Sequence, residues 1–210
     1  MKLIRAILFT TILFASASAI AQRADVYGGY SYLNFSPTIT GLDSRNFNGG
    51  GGGVDLYFLK ILGLKADFMY YGSTTFTRTV PVTLVIPGRG IIPAGTYSAQ
   101  GNMFTYMGGP LLRIPLPLIK PFGEVLFGAS NTDGYSNLAK QINAAGGTLS
   151  LSSQHPFTLA AGGGVDITVS HHLAIRPAEF DYVLTRYSNP LTNNSSQNNF
   201  RYFGGVVLKF

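Results

Sequence analysis

Hydrophobic and polar residues alternate along most of this chain, in runs of about ten residues separated by turn-forming segments. Such alternation predicts β-strands, because successive side chains of a strand point to opposite faces of the sheet. Each run therefore has one apolar face, and the chain is expected to be all-β. We count eight of these runs, at 25–35, 47–58, 63–73, 102–114, 121–130, 157–169, 173–185 and 199–210.

The faces opposite the apolar ones carry charged residues of both signs. In the run 63–73, for example, Leu64 and Phe68 share one face, and Lys65 and Asp67 share the other. The same division recurs along the other runs. The charged residues that it assigns to the polar faces are Asp55, Lys65, Asp67, Arg113, Glu124, Asp166, Arg176, Glu179, Asp181, Arg201 and Lys209.

The run 173–185 needs an irregularity to follow this pattern. Arg176 has the opposite parity to Glu179 and Asp181, so an unbroken strand would place them on different faces. A β-bulge at Pro177 would bring all three side chains to one side. We therefore expect a bulge at that position.

Two architectures could hold these strands. In a soluble sandwich the apolar faces would pack inward and the charges would face water. The glycine runs at 49–53 and 162–164 argue against it, because they would make a poor dry core. They suit a narrow barrel whose strands coil sharply and whose interior holds long charged side chains. The sequence therefore favours a barrel with its apolar face outward.

The connections between the runs alternate between long and short, a pattern typical of outer-membrane barrels with long external loops and short periplasmic turns. The long connections are 36–46, 74–101, 131–156 and 186–198, and the short ones are 59–62, 115–120 and 170–172. Tilted strands of about 9–11 residues suffice to cross a bilayer. We predict an eight-stranded antiparallel up-and-down transmembrane β-barrel in a bacterial outer membrane, with both termini on the periplasmic side.

The first residues have the composition of a secretory signal peptide. Lys2 and Arg5 form a basic region, and the apolar run at 6–15 is too short to span a bilayer as a helix. Small residues then lead up to Ala21 in the pattern of a cleavage site. We expect residues 1–21 to be a cleaved signal peptide, which leaves the barrel domain at 22–210.

Composition narrows the class of protein further. Charged residues make up 11 % of the chain, against about 25 % in a typical soluble protein. The formal net charge is +6, but no cluster of basic and aromatic residues resembles a nucleic-acid-binding face, so we expect no nucleic-acid partner. The chain has no Cys, which excludes disulfides and a lipid-anchoring cysteine.

The last run, RYFGGVVLKF, ends on an aromatic residue. Tyr202, Val206, Leu208 and Phe210 share its apolar face, and in a barrel that face meets lipid and lipopolysaccharide. Together with the signal peptide and the eight strands, this ending resembles the small outer-membrane barrels of the OmpA/OmpX type. The resemblance implies that these four residues form the signal read by the outer-membrane assembly machinery.

The polar faces give such a barrel a charged interior. Side chains fill the interior of an eight-stranded barrel, and buried charges must be paired. These charges are expected to form a salt-bridge network, which could have one of two roles. It could simply fill the interior of a barrel with a structural or surface-interaction role. Alternatively, its ion pairs could switch partners and gate a narrow pore for ions or small solutes. We expect the network to contain Lys65, Asp67, Arg113, Glu124, Asp166, Arg176, Glu179, Asp181 and Arg201.

The sequence gives little support for catalysis. A hydrolase needs a serine and a histidine placed together, and His155 lies near Ser152 and Ser153 without a suitable carboxylate. His171 and His172 fall in a short turn, and two ligands do not make a metal site. The glycine runs lack the Lys–Ser/Thr pair of a phosphate-binding loop. We expect no enzymatic activity, no cofactor and no metal.

Aromatic residues near the ends of the runs predict two girdles at the bilayer interfaces. The outer girdle would contain Tyr30, Tyr32, Tyr70, Phe104, Phe157 and Tyr182, and the inner girdle would contain Phe58, Phe122 and Phe210.

The two longest loops are where an extracellular partner would bind. Loop 74–101 has two β-rich arms around PGRG, which predict a hairpin that extends the barrel and offers a strand edge to a partner. Loop 131–156 contains a short helical pattern with Leu138 and Ile142 that ends in glycines. We expect this helix to cover the barrel mouth.

Overall fold

The computed structural model of the protein describes residues 23–35, 45–86, 90–148, 155–186 and 196–210. Its strands are β1 Arg23–Phe35, β2 Arg45–Tyr57, β3 Leu62–Val80, β4 Leu84–Ile86, β5 Gly90–Ile92, β6 Gly95–Arg113, β7 Ile119–Thr132, β8 Phe157–Thr168, β9 Leu173–Arg186 and β10 Ser196–Lys209. Its helix α1 is Gly134–Ala144. Eight strands close into an antiparallel barrel in the order β1-β10-β9-β8-β7-β6-β3-β2. The eight predicted strands are confirmed, and the predicted signal peptide lies outside the described residues.

Strand β1 closes the barrel by pairing with both β2 and β10. In the β1–β10 register, Val26 is opposite Leu208. The backbone N–H of Phe210 donates to the carbonyl oxygen of Ala24 at 2.8 Å. Closure pairs each strand of the sheet on both sides, as a hydrocarbon environment requires. The predicted pairing of the last strand with the first is confirmed.

The outer surface of the barrel is apolar and its interior is polar. On β3, Leu64 and Phe68 are about half exposed, whereas Lys65 and Asp67 are buried. A soluble protein has the reverse arrangement, so the soluble-sandwich alternative fails. Five residues assigned to the outer aromatic girdle are exposed on the outward face: Tyr30, Tyr70, Phe104, Phe157 and Tyr182.

The predicted bulge in β9 is present. In the pairing with β10, Glu179 is opposite Phe203 and Arg176 is opposite Gly205, so β9 holds one extra residue between these two pairs. The pairing of β9 with β8 contains the same irregularity. As a result Arg176 and Glu179 are both buried, while Pro177 is exposed.

Inward-facing glycines make room for two aromatic rings. A Cβ added at Gly53 would lie 2.7 Å from Cζ of Tyr27, and one at Gly164 would lie 2.8 Å from Cζ of Phe122. Both aromatic side chains are buried in the barrel. The assignment of Phe122 to the inner girdle is therefore wrong, because this residue has the same parity as the inward-facing Glu124 on β7.

Beyond the barrel, β3 and β6 continue as a hairpin that pairs from Thr74–Gly101 to Val80–Gly95, and β4 and β5 pair with each other at its end. Helix α1 packs on this hairpin through a separate hydrophobic cluster made of Val80, Ile92, Tyr97, Leu138 and Ile142. We call the described residues of 74–101 and 133–148 the hairpin–helix module. The hairpin and the helix are both confirmed, and the apolar side of the helix packs on the hairpin. No helix in the described part of the chain is long and apolar enough to span a membrane.

Candidate functional site

The charged residues of the polar faces meet inside the barrel. None of the predicted members of the interior network exposes more than 5 % of its surface: Lys65, Asp67, Arg113, Glu124, Asp166, Arg176, Glu179, Asp181 and Arg201. Three of them, Lys65, Arg176 and Arg201, are the cations around which the carboxylates are arranged.

Lys65 connects three strands. Its Nζ donates to Glu124 Oε2 on β7 at 2.8 Å and to Glu179 Oε2 on β9 at 2.7 Å. The same Nζ lies 4.8 Å from the centroid of the Tyr27 ring and 5.4 Å from that of Phe122, which adds cation–π attraction. The ammonium group is therefore held by two carboxylates and lies near two aromatic rings.

Arg176 uses each nitrogen of its guanidinium group. Nε donates to Asp166 Oδ1 at 2.7 Å, Nη1 to Glu179 Oε2 at 2.8 Å and Nη2 to Asp55 Oδ2 at 2.9 Å. Its Cζ lies 4.3 and 4.5 Å from the centroids of the same two aromatic rings. The bulge in β9 makes this arrangement available, because it turns Arg176 to the same side as Glu179.

Arg201 lies on β10, opposite Asp181 of β9. Nε donates to Asp181 Oδ2 at 2.8 Å, Nη1 to Asp67 Oδ1 at 2.8 Å and Nη2 to Glu179 Oε1 at 3.3 Å. The hydroxyl of Tyr27 donates to the other oxygen of Asp67 at 3.0 Å. Such charge-assisted bonds with a planar donor group are stronger and more directional than neutral ones.

The central network contains more carboxylates than cations. Carboxylate oxygens of Glu124, Glu179 and Asp181 come within 4.8 Å of one another, and Lys65 and Arg201 are bound to them. Oδ1 of Asp181 is buried and makes no hydrogen bond with any described residue. A buried network of this kind gives little net stability compared with apolar packing, but the loss of one partner is costly.

Arg113 does not join the central network. It binds Asp25 on β1, which also accepts a hydrogen bond from Nε of Arg23 at 3.1 Å. The guanidinium of Arg113 lies over the ring of Tyr57, with Cζ 3.5 Å from the ring centroid. Sequence reasoning missed Asp25, which is fully buried. Its ion pairs lie at the end of the barrel where the short turns connect the strands.

The four residues of the expected assembly signal lie on the outward face of β10 or just after it. Val206 and Leu208 are both about half exposed, and Phe210 is more exposed than either. Tyr202 is partly covered, and its hydroxyl donates to the carbonyl oxygen of Pro177 at 2.7 Å. This tyrosine thus also fastens β10 to the bulge in β9.

The three histidines of the chain lie in two separate places in the fold. His155 is exposed before β8, and Ser152 and Ser153 lie outside the described residues. His171 and His172 are adjacent in the turn between β8 and β9, with ring centroids 4.9 Å apart.

Comparisons with known proteins agree with this geometry. One protein family, described as outer membrane protein beta-barrel domain, matches residues 6–210. The outer membrane protein OprG from Pseudomonas aeruginosa is 14 % identical over 90 % of this chain and 96 % of its own, with a TM-score of 0.57. Neisserial surface protein A is 12 % identical over 89 % of this chain and 97 % of its own, also with a TM-score of 0.57. A search of curated proteins gives no match. At these identities the two structures indicate a shared fold alone.

Proposed function

This chain belongs to the outer membrane protein β-barrel family, and we propose that it serves in that membrane as a sealed, non-enzymatic barrel that displays a surface-interaction module. As a member of this family it is an integral outer-membrane protein surrounded by lipid and lipopolysaccharide. The proposal adds two features to that general role. The interior of the barrel is closed to solutes, and the hairpin–helix module binds an extracellular partner.

The ion pairs that cross the barrel support a closed interior. An eight-stranded barrel is just wide enough for side chains, and here the buried Lys65, Arg176 and Arg201 span it together with the rings of Tyr27 and Phe122. Each cation binds carboxylates on two or more strands. An ion that entered this layer would have to break several short charge-assisted bonds.

The structure of the hairpin–helix module supports a role in binding an extracellular partner. The side chain of Asp133 accepts a hydrogen bond from the backbone N–H of Asn102 at 2.8 Å, and the backbone N–H of Thr148 donates to the carbonyl of Ile91 at 3.0 Å. These bonds fix both ends of the helical segment to the hairpin. Val85 and Ile91 lie directly opposite each other on it and are both exposed, and contiguous exposed apolar residues are typical of interaction sites.

The proposed binding of a partner by the hairpin–helix module can be tested on intact bacteria. Cells that express the wild type are compared with cells whose barrel has residues 81–94 replaced by a two-residue turn. We expect the barrel to fold equally well in both proteins, and only the wild type to increase cell aggregation or adhesion to cultured cells. Equal adhesion at equal surface levels would refute the display role.

We propose that the termini face the periplasm, that residues 1–21 are removed, and that the assembly machinery reads the four apolar residues at the end of β10. Because the chain has no Cys, single cysteines report orientation cleanly. A membrane-impermeant maleimide should label Ala144→Cys on intact cells and Ser170→Cys only after permeabilisation. The reverse labelling pattern would show that the barrel has the opposite orientation in the membrane.

A narrow gated pore is the second candidate function. It is favoured by the excess of carboxylates in the central network and by the unpaired oxygen of Asp181, because a surplus acceptor allows the cations to exchange partners. Glu124 would be the first residue to release its cation, since Lys65 also holds Glu179. Conductance separates this candidate from the sealed barrel.

A further inference from the structure

We propose that the end of the barrel with the short turns contains a binding site for a phosphate-bearing anion. Five cationic residues gather there, and we call them the basic mouth: Arg23, Lys60, Arg113, Lys120 and Lys209. Two open cavities lie among them, with volumes of about 460 and about 200 Å³. Arg23 and Lys120 line both cavities, so the two adjoin.

The carboxylates of the described residues near the basic mouth balance only part of its charge. Asp25 is already bound by Arg23 and Arg113. Asp166 is opposite Lys120 in the β7–β8 register, but the guanidinium of Arg176 in the central network binds it.

Two of the lysines have no carboxylate partner among the described residues. The side chain of Lys120 makes no hydrogen bond or ion pair with any residue in the described ranges, and it has the inward parity of Phe122 on β7. Within the described part of the chain, Nζ of Lys209 donates only to the carbonyl oxygen of Ser170, at 2.9 Å. That carbonyl is neutral, so it leaves the charge of the ammonium group uncompensated.

Three unpartnered donors point to the same kind of ligand. The hydroxyl of Tyr57 and Nε of Arg113 belong to residues that line the smaller cavity, and the hydroxyl of Thr168 belongs to one that lines the larger. Each of these atoms is buried and makes no hydrogen bond within the described part of the chain. Buried polar atoms normally have a partner. Cations and free donors together fit a ligand that only accepts hydrogen bonds.

A phosphate group has this chemistry. It offers several acceptor oxygens and negative charge to lysine ammonium groups and to an arginine fork. The larger cavity lies within the roughly 300–1,000 Å³ range of small-molecule sites, so it also has room for an organic part attached to the phosphate. Phe210 borders this cavity and is highly exposed. Two sources of the phosphate are therefore a phospholipid headgroup at the rim and a soluble phosphate compound.

The test compares two double variants of the refolded barrel in a zwitterionic detergent. Lys120→Gln/Lys209→Gln removes two charges from the basic mouth. Lys140→Gln/Arg186→Gln removes two exposed charges from the other end and is the matched control. Inorganic phosphate, titrated by calorimetry, should bind the wild type and the control equally and the first variant about tenfold more weakly.

A second measurement identifies the source of the phosphate. Native mass spectrometry of barrels released from phosphatidylglycerol nanodiscs should show bound lipid in the wild type and the control. Lipid retention without calorimetric binding of phosphate supports the site with a headgroup as its ligand. Phosphate binding without lipid retention supports the site with a soluble ligand.

Tyr57→Phe provides a probe that leaves the charge of the mouth and its folding contacts unchanged, because this hydroxyl has no partner among the described residues. It should weaken the binding of phosphate or lipid several-fold. The proposal is overturned if neither ligand binds the wild type, or if the basic-mouth variants bind as tightly as the control.

Discussion

Nζ of Lys65 lies 2.7 Å from Oε2 of Glu179, although β3 and β9 are on opposite walls of the barrel. Four strand steps separate them in either direction around the sheet. A single ion pair thus spans the diameter of the barrel. Both side chains are fully buried, so this pair and the arginines beside it cross the interior of the barrel.

Replacing Lys65 with Met should strongly destabilise the barrel. The change leaves Glu124 and Glu179 buried next to each other without their shared cation, and breaking a buried pair in this way costs about 3–5 kcal/mol. Because the chain contains no Trp, circular dichroism in urea is a suitable measurement. The control Lys140→Met, on the exposed side of α1, should change the free energy of unfolding by less than about 0.5 kcal/mol. Similar losses in both variants would contradict a network held by Lys65.

Gly53→Ala should also destabilise the protein, for a steric reason. The new methyl group would press on the carbonyl oxygen of Ala66 and on the ring of Tyr27, whose hydroxyl is bound to Asp67. Overpacking of this kind costs about 1–3 kcal/mol. The matched control is Gly28→Ala on the outward face, where the added Cβ would lie 3.6 Å from its nearest neighbour, a normal contact. Equal midpoints of urea unfolding for the two variants would show that the glycines do not serve the interior.

Ile142→Ala should loosen the hairpin–helix module without weakening the barrel. Ile142 is buried against Val80, Ile92 and Tyr97, and such truncations cost about 2–5 kcal/mol. Hydrogen exchange of the α1 amides should therefore become faster, while the urea midpoint of the barrel stays unchanged. Gln141→Ala, on the exposed side of the helix, should alter neither. A fall in the barrel midpoint would mean that the module and the barrel unfold together.

Much of the fold could be predicted because alternation in a strand is visible in the sequence alone. The polar faces of β3 and β10 separate Lys65 and Arg201 from their apolar neighbours. The bulge at Pro177 could also be predicted. Arg176 and Glu179 have opposite parity, so both side chains can face the interior only if the strand contains an irregularity between them.

Other parts of the site could not be predicted. The inward face of β1 carries Tyr27, Leu33 and Phe35 as well as Asp25, so neither face of that run is clearly the polar one. The partner of Arg113 depends on which strands face each other across the closed barrel, and the spacing along the chain does not contain this information. The residues of the basic mouth lie far apart in the sequence, and only the folded barrel brings them together at one end.

The sealed interior is the central claim, and the conductance of the refolded protein in a planar bilayer tests it most directly. Wild-type protein that is well folded should give no channel events, because the layer formed by Lys65, Arg176 and Arg201 spans the barrel. The recording is repeated with Glu124→Ala, which removes one carboxylate from Lys65. Steady openings in the wild type that increase in this variant would show that the network is a gate and would contradict the account.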